Sequence, residues 1–198
     1  MTAAEKRYER SLILLHEAAH AVVGIRLGKR GLIAIHLDPN KNPHGKGRFT
    51  TEWSSQKRRI TRIPRADRRR VLFREIMISL AGDIALVRLG VEDMKAPTFT
   101  LAALKDPQSD LALVFGYLKN LYGDKCEVAI RELHNLCALT EDLILNEPEV
   151  NYAILRLACD LEEGDIDTVD GRSVEQHVRA CFTAVRKGQV VLREQVAA

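Results

Sequence analysis

Residues 12–25 read Leu-Ile-Leu-Leu-His-Glu-Ala-Ala-His-Ala-Val-Val-Gly-Ile, and this stretch decides the fold. Leu12, Leu15, Ala19, Val22 and Val23 recur at helical spacing, which predicts a helix from Ala4 to about Leu27, with Gly28 and Gly31 where it would end. The apolar run is broken by His16, Glu17 and His20 and is too short to span a bilayer, so the expected place for it is a protein core. On a helix, positions 16 and 20 share a face one turn apart, so both imidazoles can point at one tetrahedral ion. Glu17 is turned by about 100° around the axis, where its carboxylate can reach a water on that ion instead of the ion itself.

Outward from this helix, Leu32 to Leu37 is a short apolar run, followed by the turn-rich DPNKNPHGKG and the alternating RFTTEW. These predict a hairpin or two edge strands. Lys57, Arg58, Arg59, Arg62, Arg65, Arg68, Arg69 and Arg70 form a basic run against one acid, Asp67, with Pro64 dividing it. Asp67 is then expected to cap a second helix through Leu72, Ile76, Leu80, Ile84 and Val87, ending at Gly90. A poorly ordered stretch is expected to Pro107. Ser109 is expected to cap a third helix, Asp110 to Tyr122, closed by Gly123. Further helices are predicted for Lys125 to Leu145, for Pro148 to Glu162, and for Ser173 to about Arg186 with a Ser173/Gln176 capping box.

With 198 residues, 46% of them hydrophobic and 29% charged, the chain has the composition of a folded globular protein and enough length for one sizeable core. A single domain over residues 1–198 is expected. The net charge of +3 calls for no nucleic-acid or membrane partner, and MTAAEKRYER does not lead into a signal peptide, so the default location is cytoplasmic. Cys126, Cys137, Cys159 and Cys181 lie apart from one another in helical patterns and are expected to be reduced core residues.

Two histidines and a glutamate in this order carry a definite chemistry. Zinc with three protein ligands keeps an open position where water becomes a nucleophile near neutral pH, and a neighbouring carboxylate serves as general base. Random placement yields HExxH in roughly one chain in a hundred of this composition. The apolar flanks on both sides also argue against two merely solvated histidines. A third ligand is required. The extended form with glycine and a third histidine fails, because Val23 and Arg26 occupy those places. Two options remain open from the residues: a glutamate on a following helix, of which Glu75 is the best placed, or an aspartate further along.

These residues resemble the peptidase domain of the FtsH-type zinc proteases. HEAAHAVVGIRLG is similar to that family's HEAGHA helix, LAGDIALVRLG (residues 80–90) to its LGGRAAEELIFG, Gln108-Ser109-Asp110-Leu111 to its small-residue Asn-Asp or Ser-Asp-Leu helix opening, and DTVDGRSVEQHV to its closing TIDGEEV-type segment. The resemblance covers nearly the whole chain. It implies Asp110 as the third zinc ligand beside His16 and His20, with Glu17 as the base, and a mainly α, helical zincin-like fold with a small β-hairpin or short sheet near the HExxH helix. Three departures stand out. Ala19 replaces a glycine, Leu86 and Val87 replace an acidic pair that would supply a carboxylate behind a ligating histidine, and no Walker loop occurs, since Val23 and Arg30 spoil the one tempting spot around Gly28 and Lys29.

The expected activity is therefore zinc-dependent hydrolysis of peptide bonds in peptides or unfolded proteins, without an ATPase of its own. A separate ATPase partner and a homo-oligomer are compatible with the family. The alternative is a catalytically weak binding or regulatory module on the same fold. The basic run 57–70 reads as a solvated loop and a charged first turn, not a nucleic-acid site, because aromatic residues are missing from it. His36, His44, His134 and His177 show no ligand spacing. The strand pair offers an edge along which an extended peptide could lie.

Overall fold

The computed structural model describes residues 3–37, 50–54, 64–90, 109–164 and 167–190. Helix α1 (Ala3–Arg26) holds the centre. Ala18, Ala19, Ala21, Val22 and Val23 are fully buried, and a helix apolar on all sides needs neighbours on all sides. One flank packs on α2 (Arg65–Ala85), which runs on into a π-helical turn, Leu86–Gly90. The other flank packs on α5 (Pro148–Glu163). Helices α3 (Asp110–Tyr122) and α4 (Cys126–Asn146) lie against α2, and α6 (Gly171–Arg186) against α5 and the sheet. None of the helices is long and apolar enough to cross a membrane among the described residues.

The sheet has three antiparallel strands in the order β2-β1-β3, with β1 at Leu32–His36, β2 at Thr50–Trp53 and β3 at Thr168–Asp170. The mainly α class with a small sheet beside the HExxH helix is thus the observed architecture. One expectation needs correcting, however: β1 is no edge strand, because β3 covers its second side. Three residues of Thr-Val-Asp are too short a run to register as a strand pattern. Pairing of Ile35 with both Thr51 and Val169 sets the register, and buried Ile35, Thr51 and Trp53 hold the sheet to the core.

Several helix ends repeat what the local chemistry predicts. The Ser109 hydroxyl accepts from Ala112 N at 3.1 Å and caps α3, and Gly123, at φ 59°, ends it. Two caps differ. α2 starts at Arg65 with Pro64 at its N-cap and no side-chain cap, and Asp67 sits inside the first turn, paired with Arg70 at 3.1 Å, because the chain enters the helix at the proline, three residues before the aspartate. α6 is capped not by Ser173 but by Asp170, whose carboxylate at the end of β3 accepts from Arg172 N and Ser173 N. The cysteines also need correcting. All are free, but Cys126 and Cys159 are exposed, Cys137 is half-buried and only Cys181 is in the core, since Cys126 opens α4 and Cys159 lies on the outer side of α5. The stretch from 91 to 108, His44 and the start of the basic run lie outside the described residues.

Candidate metal centre

The site is built where α1, α2, α3 and β2 meet. His16 and His20 project from one face of α1, their rings edge to face with centroids 4.5 Å apart. Their Nε2 atoms come to 2.9 Å from each other, and Asp110 Oδ2, from the first turn of α3, lies 3.3 Å from both. His20 Nδ1 is 2.6 Å from the Ile78 carbonyl on α2. A carbonyl only accepts, so Nδ1 must carry the proton, which leaves Nε2 of the neutral ring with a lone pair facing the cluster. His16 Nδ1 faces Asp83 Oδ1 at 3.6 Å. The ring can lie there because residue 82 is glycine: a Cβ at that point would fall within 2.6 Å of His16 Cε1, Nδ1 and Nε2.

Three electron-rich atoms brought this close need positive charge among them. Ligands at 2.0–2.1 Å on a tetrahedral zinc are separated by about 3.3 Å, so the His16, His20 and Asp110 donors fit one face of such a site in number, chemical type and spacing. Without an ion a proton takes that role. Burial opposes charge on His20, but the Asp110 carboxylate, helped by Glu17 and the Ile78 carbonyl, overrides it and pushes the imidazole from an ordinary 6.5 up to about 10. Burial likewise opposes ionisation of Asp110, yet the two histidines hold its carboxyl far below the usual range. The side chains of His20 and His16 are 8% and 19% exposed and that of Asp110 34%, so the cluster opens to solvent on the His16 and Asp110 side.

Glu17 is buried, and the Thr51 hydroxyl on β2, 2.8 Å from its Oε2, donates to it. Its carboxylate and the two imidazoles offer atoms within 4.8 Å of one another, close enough for one water to touch all of them. Glu75, the other third ligand considered, is committed elsewhere. Its Oε2 is 2.5 Å from the ammonium of buried Lys29, which also stands 5.0 Å from the centre of the Trp53 ring. Desolvation lowers the Lys29 pKa and Glu75 partly restores it. Tyr117, two turns beyond Asp110 on α3, is kept protonated by burial and by the charges of Glu75 and Asp110, its hydroxyl pushed up to about 12.

The structure therefore brings His16, Glu17, His20 and Asp110 into one cluster. It leaves His36 in a pair with Glu52 at 3.2 Å, His134 exposed on α4, and His177 near Asp160 at 3.3 Å, all away from it. Leu86 and Val87 are half-buried in the π-helical turn, but Asp83, one turn earlier, supplies a carboxylate behind His16 after all. Asp83, Thr51, Gly82 and the Ile78 carbonyl were not apparent from periodicity. The one signal present was the small-small-acid run Ala81-Gly82-Asp83 inside a helix pattern, where glycine is costly unless something lies against it. No family model matches this chain, and no curated protein matches it either.

Proposed function

We propose that the chain is a zinc-dependent metallopeptidase of the FtsH-peptidase type, cutting peptides or unfolded segments, with His16, His20 and Asp110 as ligands and Glu17 as general base. The single observation that carries the reading is the convergence of His16 Nε2, His20 Nε2 and Asp110 Oδ2 at 2.9–3.3 Å beside a buried glutamate. Zinc held by these donors would supply Lewis acidity toward the scissile carbonyl and lower the pKa of water to about 7.

The remaining work falls to the chain's own groups. Glu17 takes the proton from the attacking water as its oxygen bonds to the carbonyl carbon, then delivers that proton to the amide nitrogen as the C–N bond breaks. Thr51 holds Glu17 Oε2 and so leaves the other carboxylate oxygen for the proton. The Ile78 carbonyl fixes the tautomer of His20, and Asp83 backs His16.

The test has two arms. Metal analysis of purified protein should find about one zinc per chain in the wild type and little in His20→Ala. Cleavage of an unfolded protein such as casein should fall by about 10²–10⁴-fold in Glu17→Gln while zinc is retained. A second reading, a binding or regulatory module with weak turnover, rests on the replacement of an acidic pair by Leu86 and Val87, which Asp83 answers only from 3.6 Å. Zinc in the wild type without any Glu17-dependent cleavage would select it.

A further inference from the structure

On the flank of α2 turned away from Glu75, Ile78 and Gly82, a groove of about 630 Å³ runs beside the end of α1. Leu27, Val71, Phe73 and Met77 give it an apolar floor, and Arg69, Arg70 and Arg74 complete its lining. The spacing of Ala66, Arg70, Phe73 and Met77 is three and four, so they form one stripe of the helix. Arg69 lies over the Phe73 ring, 4.9 Å from its centroid, which holds cation and floor together.

The local charge does not balance. Among the described residues, Arg69, Arg70 and Arg74 at the groove and Lys29 behind it are four cations, answered here by three acids, Glu132, Asp67 and Glu75. Glu75 is taken by Lys29 at 2.5 Å and reaches Arg74 only at 3.5 Å, while Arg74 Nε is buried with no hydrogen-bond partner among the described residues. Arg69 and Arg70 stand in the second turn of α2, near an N-terminus where Pro64 brings no side-chain cap. Charge of that sign, at that end of a helix and over an apolar floor, is relieved by an anionic ligand with apolar side chains.

We infer that this groove is a docking site for an acidic polypeptide segment, one that seats leucine or phenylalanine side chains on Leu27, Val71, Phe73 and Met77 while its carboxylates meet Arg69, Arg70 and Arg74. A nucleic acid is the poorer occupant, because among the described residues Phe73 is the one aromatic that lines the groove, and it is already covered by Arg69. The inference is independent of the metal centre and is tested without it.

The experiment measures fluorescence anisotropy of a labelled glutamate-rich peptide with interspersed leucine and phenylalanine, titrated with the full chain and with its Glu17→Gln variant. Controls are the same peptide with its apolar residues replaced by serine, and a single-stranded oligonucleotide of equal charge. Saturable binding to both proteins is expected, weakened roughly tenfold or more by Arg70→Glu and by Phe73→Ala, weakened also by the serine replacement, and reduced by salt. The Arg70 side chain is 83% exposed, so its reversal leaves the fold intact. Val71→Ser replaces Phe73→Ala should the latter fail to fold. Absence of peptide binding, binding indifferent to these substitutions, or equal or tighter binding of the oligonucleotide would overturn the inference.

Discussion

A methyl group on residue 82 would lie within 2.6 Å of three ring atoms of His16, so that ring and the α2 backbone cannot both keep their places in Gly82→Ala. Inserting volume at so tight a contact costs about 1–3 kcal/mol, and here the part able to give is the His16 ring. The variant is expected to stay folded with a lowered thermal midpoint and to bind zinc at least tenfold more weakly, read by competition with a chromophoric chelator. Asp83 acts on the same ring from its other nitrogen. Asp83→Asn removes the charge that orients and polarises His16 without adding bulk, and is expected to cost about 10–100-fold in zinc affinity with the thermal midpoint of the metal-free protein unchanged. An unaltered affinity in Asp83→Asn would mean that 3.6 Å is a bystander's distance.

At the scale of elements, the position of β2 controls Glu17. Trp53, 1% exposed, lies against α1 at Gly24, where an added Cβ would meet ring atoms Cζ2 and Cη2 within 2.7 Å. Two residues earlier on the same strand, Thr51 donates to Glu17. Gly24→Ala should therefore push β2 outward, lower stability by about 1–3 kcal/mol in chemical denaturation, and depress turnover while leaving zinc content unchanged, since none of the proposed ligands lies on β2. Away from the site, α5 and α6 are pinned by Glu149, which accepts from Arg186 at 2.5 and 2.6 Å with Arg26 at 3.5 Å. The hydrogen bond from Arg186 holds the Glu149 carboxyl below its ordinary value against a smaller opposing effect of burial. A carboxyl depressed on folding contributes stability above its unfolded pKa of about 4.3, and loses it as pH falls through the folded value. Wild type should thus be more stable than Glu149→Gln at pH 7, with the gap closing as urea titrations move below about pH 4. A gap that persists or widens in acid would assign the pair no such role.

For the molecule as a whole, what could be read from the chain follows the range of the interactions. Helix α3 was legible to the residue, because a serine cap and a glycine stop are local chemistry, and α1 was legible to within a residue because its core face repeats at helical spacing. Strand β3 was not, being a three-residue partner chosen by β1 from over 130 positions away. In the site, HExxH presents two imidazoles within one helix, whereas Asp110, Thr51 and Asp83 arrive from three other elements, and local patterning does not report which side chains meet across elements. This also sets how an ion would act on stability. Donors on α1 and α3 meet only in the folded chain, so zinc should bind the native state preferentially. With free zinc at a hundredfold excess over its dissociation constant, the gain is about 2.7 kcal/mol. In a chain of this size each kcal/mol raises the thermal midpoint by roughly 2–4 °C, which gives a shift of about 5–11 °C. His20→Ala and Asp110→Ala should lose that shift, and Glu17→Gln should keep it, because Glu17 is assigned to the water and not to the metal. Since Glu17 also lies within reach of both imidazoles, the reverse pattern, a shift kept by Asp110→Ala and lost by Glu17→Gln, would make Glu17 the third ligand and remove the base from the proposed peptidase.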